Sequence, residues 1–388
     1  MRKFQITPVH LGLGAAISTI SIVGFGITLM IPVLSLEMER RGVTGSMIGL
    51  QTAVMAFASI LGSLFAPRLL QLMNIRFIIV LALAINASMF PLFHFVENIW
   101  WWFPMRAISG FCFALLFTAS EFWITSIAPP QSRGLVMGIY ATCLSIGFAL
   151  GPTLLTLTGT QGLLPLVVGA IIIASGILPA LIPHAARPQI HHDEKPSSFF
   201  TVLRIAPIAI FASLIFGAIE STNFSFLAIW GVRSGLSETQ GALLITMIGI
   251  GNALLQIPIG LLADRWNRRW MIISCALFSA GLFFLAPFAV HAHAWLLYAL
   301  LIPFGGVVAG IYTVGLSILG ERFSGAMLAS ANAAFVTAYA AGMLVVPPVA
   351  GRGMDIVNPN GYVYVTVILL VIYALFIIFS ARKSVSSP

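Results

Sequence analysis

The chain has 388 residues, 59% of them hydrophobic and 8% charged, with a formal net charge of +8. Soluble domains carry roughly a quarter charged residues, so these proportions exclude an ordinary soluble fold and predict an integral, polytopic membrane protein. The positive charges are scattered among loops, which excludes a nucleic-acid surface, and the three cysteines, Cys112, Cys143 and Cys275, lie in apolar runs without CxxC spacing, so neither a disulfide framework nor a zinc site is expected.

A helix needs about 20 apolar residues to cross roughly 30 Å of hydrocarbon at about 1.5 Å per residue. Breaking the sequence at charged, Pro-rich and Gly-rich interruptions predicts twelve such spans: 11–36, 46–70, 76–95, 101–127, 133–157, 162–183, 203–230, 238–262, 270–290, 295–320, 326–349 and 361–381. The first follows Arg2 and Lys3, but it is too long for the apolar region of a secretory signal. Six spans precede the polar stretch HAARPQIHHDEKPSS and six follow it. The predicted organisation is an N-terminal six-helix bundle over 1–183, a linker over 184–200 and a C-terminal six-helix bundle over 201–388. Within the linker, His191 and His192 beside Asp193 and Glu194 read as solvated chain, because nothing fixes a metal geometry.

With the N-terminus inside, fourteen of the 19 Lys and Arg residues fall on the cytoplasmic side, and only Arg40, Arg41, Arg233 and Arg352 fall outside. Positive charge concentrates on the cytoplasmic side, so both termini and the linker are expected there, in a bacterial inner membrane. Trp100, Trp101 and Trp102 read as an aromatic belt at the outer interface. The halves also echo each other. Leu64–Arg68 (LFAPR) is matched by Leu261–Arg265 (LLADR), and Gly147–Pro152 (GFALGP) by Gly342–Pro347 (GMLVVP), at nearly the same offset. A duplicated six-helix unit would produce that pattern.

Between spans eight and nine the chain reads GLLADRWNRR, placing Gly260, Asp264, Arg265, Arg268 and Arg269 between two apolar runs. Three arginines cannot remain in hydrocarbon, where each costs at least about 2.5 kcal/mol, so the segment must lie at a membrane surface. It resembles the GxxxDRxGRR loop of the Major Facilitator Superfamily of secondary transporters, with Asn267 in place of the second glycine. Asn tolerates positive φ better than most residues, so a tight turn is expected there. Arg106–Gly110 (RAISG) is similar to the RxxxG of the superfamily's drug/proton antiporters, and Gly147, Gly151 and Pro152 resemble the start of their GxxxGPxxGG motif. The resemblance covers nearly the whole chain, and extends equally to poorly characterised bacterial members. It implies an all-α fold of twelve transmembrane helices in two pseudo-symmetric bundles, rocking about a midplane cavity in alternating access. It also implies that Asp264 and its basic neighbours hold the cytoplasmic ends together, with Asp264 near the start of span five at Ser132.

Only Glu121 and Glu220, of eleven acidic residues, lie well inside spans. A carboxylate at that depth is costly unless it is protonated, paired or wetted, which makes both candidates for carrying a coupling proton. Either is also readable as a neutral packing carboxyl. Glu121 shares a polar stripe with Thr118 and Thr125, and Glu220 neighbours Ser221, Thr222 and Asn223. Arg106 is the one basic residue inside a span, fifteen residues and about 22 Å along the helix from Glu121, so the two cannot pair within that helix. It either snorkels to the outer interface or faces the interior, where it would attract an anion or modulate a carboxyl. Asn223, Ser221, Tyr140 and Tyr312 are the candidate substrate contacts.

The function expected is proton-coupled efflux of amphipathic or cationic compounds by a monomer in the lipid bilayer, with protons and a small-molecule substrate as partners and no cofactor or metal. The alternatives are proton-coupled uptake of a small metabolite, such as a sugar or organic acid, and a non-transporting receptor with a transporter fold. An enzyme is not expected: no clustered catalytic set occurs in the spans and no GxxxxGK[ST] phosphate loop is present.

Overall fold

A computed structural model describes residues 7–129, 133–182, 199–323 and 325–385, and all regular structure in them is helical. The first six spans are α1 (Pro8–Arg40), α2 (Gly45–Leu72), α3 (Ile75–Phe95), α4 (Trp102–Ile127), α5 (Arg133–Thr158) and the pair α6 (Leu164–Ser175) and α7 (Ile177–Ala180). A short helix, α8 (Phe199–Ile205), leads into α9 (Pro207–Arg233), α10 (Glu238–Arg265), the pair α11 (Arg268–Phe284) and α12 (Ala286–Ala292), then α13 (Ala294–Arg322), α14 (Gly325–Ile356) and α15 (Gly361–Val385). Nine stretches among the described residues are long and apolar enough to span a membrane, Thr142–Thr158 and Leu164–Ala180 are shorter apolar helices, and α10 completes the twelve. The linker's residues 184–198, including His191 and His192, lie outside the described residues.

The breaks and ends follow local chemistry. Span nine splits at Leu285, where Pro287 opens α12, since proline lacks an N–H and its ring would clash with the preceding turn of a continuous helix. Asn74 caps α3 by accepting from the Arg76 N–H, and Ser237 with Gln240 forms a reciprocal capping box on α10. The helices outrun several predicted spans because charged residues such as Glu37 and Arg40 continue α1 beyond its apolar part. The tryptophan belt needs correction: Trp100 and Trp101 are 66% and 65% exposed, but Trp102 is buried at 1%. It packs edge-on against Phe93 at 5.5 Å and donates to the Val96 carbonyl, so it belongs to the core.

The chain divides into two units, one of Met1–Leu34 with Val54–His192, the other of Ser35–Ala53 with Asp193–Pro388. Each repeats the same helix crossings. In the first, a Cβ on Gly147 of α5 would overlap the Ser21 carbonyl of α1; in the second, a Cβ on Gly342 of α14 would overlap the Leu214 carbonyl of α9. Likewise Gly110 of α4 meets the Met55 carbonyl of α2, and Gly305 of α13 meets the Ile248 carbonyl of α10. Both pairs of glycines are 195 residues apart and both pairs of partners 193. The repeat read from GFALGP and GMLVVP is therefore a repeat of backbone contacts, and small residues at such crossings are what lets helices approach closely in a membrane. Gly151 adds to the first crossing, where a Cβ would meet Thr28 Oγ1 and, at 2.8 Å, the Leu29 nitrogen. At Gly251 of α10 the missing Cβ would overlap the Ile302 carbonyl of α13. Gly251→Val is expected to destabilise the protein by about 1–3 kcal/mol, read as a lower midpoint of thermal aggregation in detergent, whereas Gly260→Ala, with nothing within 4 Å, leaves it unchanged.

Candidate functional site

Glu220 sits at the middle of α9, half-buried, and accepts a hydrogen bond from the Tyr339 hydroxyl of α14. That tyrosine belongs to a cluster of four rings from three helices. Phe216, one turn earlier on α9, lies 5.1 Å from Tyr312 of α13 and 6.2 Å from Tyr339; Tyr312 lies 4.9 Å from Phe335 of α14 and 6.3 Å from Tyr339. The arrangement follows from sequence spacing: Phe216 and Glu220, like Phe335 and Tyr339, are four residues apart and share a helix face. An acid among aromatic faces can attract a cation in two ways, by its charge and by the ring quadrupoles. In the same unit, α10 and α13 share a polar ladder in which Gln256 donates to Asn252 at 2.8 Å and accepts from Thr313 at 2.6 Å.

The first unit carries a second acid. Glu121 of α4 accepts from the Tyr140 hydroxyl of α5 at 2.9 Å, joining two predicted candidates; the side chain of Thr125 lies outside the description. Arg106 does not snorkel. It is fully buried, and its three guanidinium nitrogens have no hydrogen-bond partner among the described residues. Asn86 Oδ1 and Ser109 Oγ in the same unit are also unpartnered. An unpaired buried guanidinium costs several kcal/mol. Of the substrate-contact candidates on α9, Ser221 donates to its own helix at Gly217 and Ala218, and Asn223, 4% exposed, accepts from Tyr362 at 2.9 Å. Tyr312 joins the Glu220 cluster, and Gly147 and Gly151 serve the helix crossing already described, with Pro152 inside α5.

In GLLADRWNRR, Asn267 does not take positive φ. At φ −62° it is the N-cap of α11, its side-chain oxygen accepting from the Arg269 and Trp270 N–H groups. Capping, a role glycine fills less well, explains an asparagine there. Arg268 bonds the Ser317 carbonyl at 2.6 Å and pairs with Glu321 at 3.0 Å, while Arg269 bonds the Ile377 carbonyl at 2.5 Å and Ser380 at 3.0 Å. These arginines tie the loop to α13 and α15. Arg265 is exposed, and the Asp264 side chain and Ser132 lie outside the described residues, so their expected approach does too.

A charged set that sequence reasoning missed lies at the opposite helix ends, within the second unit. Asp355 at the end of α14 accepts from the N–H groups of Gly45 and Ser46 at 2.6 and 2.9 Å and from the Ser46 hydroxyl, so it caps the first turn of α2. Glu39 receives a bidentate bond from Arg233 at 2.7 and 2.8 Å, and Arg40 bridges Glu37 and Glu238 at 2.6 and 2.8 Å. Gly45 and Gly351 pack backbone against backbone, as do Gly49 and Pro347. Segment 35–53 is thereby docked on α9, α10 and α14.

Twelve membrane helices in two repeated sets, with a tyrosine-bonded carboxyl inside a span of each set, are the frame of a helical membrane transporter. The chain belongs to the Major Facilitator Superfamily, whose profile matches residues 16–242 and 209–388. It is 24% identical over 356 residues to the uncharacterized MFS-type transporter YfkF of Bacillus subtilis (strain 168), covering 90% of each chain, and 24% identical over 264 residues to YcaD of Escherichia coli O6:H1, covering 67% of each. Among solved structures it shares its fold with the nucleoside transporter NupG (TM-score 0.74, 16% identity, 97% and 99% coverage). A bacterial homolog of the human lysosomal transporter Spinster (TM-score 0.73, 17%, 96% of each) and a D-xylose-proton symporter (0.69, 16%, 94% and 96%) share it as well.

Proposed function

We propose that this transporter exports amphipathic cations in exchange for protons, as a monomer in the bacterial inner membrane with both termini in the cytoplasm. The observation that carries this reading is Glu220, hydrogen-bonded by Tyr339, whose ring clusters with those of Phe216, Tyr312 and Phe335. Its partner among the described residues is a hydroxyl, not a cation, so the carboxyl has to be either protonated or matched by a positive charge. A cationic substrate and a proton then compete for one acid, which is the simplest chemistry of exchange. Glu121 with Tyr140 supplies a second proton-handling pair.

The supporting state change is the docking and release of segment 35–53 on the second unit, with Arg268 and Arg269 bracing the opposite end. The test is transport of ethidium by the protein reconstituted in liposomes under an imposed pH gradient. Flux that follows the gradient and collapses with a protonophore supports exchange; flux indifferent to the gradient rejects it. Tyr339→Phe removes the hydroxyl while keeping the ring, and is expected to shift the pH midpoint of transport while reducing maximal flux by about twofold to tenfold, the scale of one ordinary hydrogen bond. An unshifted pH profile would remove Tyr339 from the coupling site.

A further inference from the structure

At the membrane-surface ends of α10, α11 and α13 a cavity of about 370 Å³ is lined by Trp266, Asn267, Arg268, Arg269, Glu321 and Arg322, among others. The three guanidiniums outnumber the one carboxylate, and that carboxylate is 59% exposed, able to turn outward. Their hydrogen bonds leave donors unspent. Arg269 commits Nη2 to Ile377 and Ser380, leaving Nε and Nη1. Arg322 commits Nη1 to the Ile205 carbonyl, leaving Nε and Nη2. The cavity lies where apolar spans end, at Arg265, Arg268 and Arg322, and Trp266 and Trp270 beside it are 59% and 63% exposed. Tryptophan at that position marks the headgroup level of a bilayer.

We propose that this cavity binds the phosphate of an anionic phospholipid headgroup, with Arg269 and Arg322 as its donors and Trp266 packed against the glycerol and upper acyl region. The Nε and Nη2 left on Arg322 form the paired donors that match phosphate, while Arg269 adds single donors and charge, and basic pockets between membrane helices take anionic headgroups. Such a lipid would sit between α10, α11 and α13, next to the GLLADRWNRR loop, and so link the state of that loop to membrane composition.

The test uses the full-length protein in detergent, with bound lipid counted by native mass spectrometry during titration with dioleoylphosphatidylglycerol or dioleoylphosphatidylcholine. Wild type is expected to prefer the glycerol lipid, and each of Arg269→Gln and Arg322→Gln to lower that preference about fivefold, the scale of one basic residue at an anionic surface. Arg269→Lys keeps the charge and is expected to keep most of the preference, whereas Arg322→Lys keeps the charge but not the paired donors and is expected to keep less. Arg352→Gln, an exposed arginine of α14 outside the cavity lining, is expected to change nothing. Undiminished preference in the glutamine variants overturns the proposal, as does a loss in Arg269→Lys equal to that in Arg269→Gln, which would show that this arginine acts by bracing helices. Displacement of the lipid by millimolar inorganic phosphate would assign the site to a soluble anion instead and overturn the lipid reading.

Discussion

Glu220→Gln is expected to abolish proton-driven transport and to weaken binding of the cation, while leaving the protein folded. Glutamine keeps the shape and still accepts from the Tyr339 hydroxyl, so the ring cluster of Phe216, Tyr312 and Phe335 has no steric reason to rearrange. What is lost is the ability to alternate between a proton and a cation. A group that handles a proton in the slow step is worth about a hundredfold or more, so gradient-driven ethidium flux should fall to near background. Exchange of the cation without a gradient should fall as well, because the neutral amide stands in for the protonated acid and offers the cation no countercharge. Glu121→Gln separates the two acids: Glu121 bonds Tyr140 in the other unit, and its loss is expected to slow transport without uncoupling it. Wild-type flux and unchanged pH dependence in Glu220→Gln would end the assignment.

Asp355→Asn is expected to release segment 35–53. The carboxylate accepts two backbone N–H bonds and one hydroxyl bond at the start of α2, where exposed donors and the helix dipole favour negative charge. Asparagine offers one acceptor oxygen and turns an NH₂ group toward donors. Hydrogen bonds to a charged group contribute about 1.5–3 kcal/mol, equivalent to a shift in the docked-to-released ratio of roughly tenfold to a hundredfold. Spin labels at Thr44 and Thr239, both exposed, should show a longer-distance population in the variant. Glu39→Gln keeps the side-chain shape but gives up the charge of a bidentate, largely buried pair with Arg233, and is expected to shift the same distance distribution in the same direction. An Asp355→Asn distance distribution equal to wild type would show that the glycine contacts with Gly351 and Pro347 hold the segment without it.

The architecture was legible because its physics is local. Hydrocarbon thickness fixes span length, charge interrupts it, and the equal offsets of Gly147/Gly342 and Gly110/Gly305 record a duplication whose crossings admit no Cβ. The two mid-span acids were legible for the same reason, since depth alone makes them rare. Their partners were mixed. Tyr140 and Tyr312 were singled out as hydroxyls deep in spans, and Tyr339 meets the same criterion on α14 but was passed over, although it is the one that bonds Glu220. The docked segment was illegible in principle, because Asp355 reaches Gly45 across 310 residues and a carboxylate at a helix end reads as solvated. Asn267 was misjudged for a different reason: a family turn position was read through its glycine, when asparagine's own oxygen supplies a cap. Trp102 shows that three adjacent tryptophans need not share an environment once the 3₁₀ turn at Ile99–Trp101 redirects the chain.

The measurement closest to the central claim is calorimetric binding of tetraphenylphosphonium to the purified protein in buffers of differing ionisation enthalpy. A lipophilic cation that takes the place of a proton on Glu220 should release close to one proton per ligand bound in wild type and close to none in Glu220→Gln. Binding with no proton release in wild type, or with the same release in both proteins, would contradict the claim that one acid serves substrate and proton in turn.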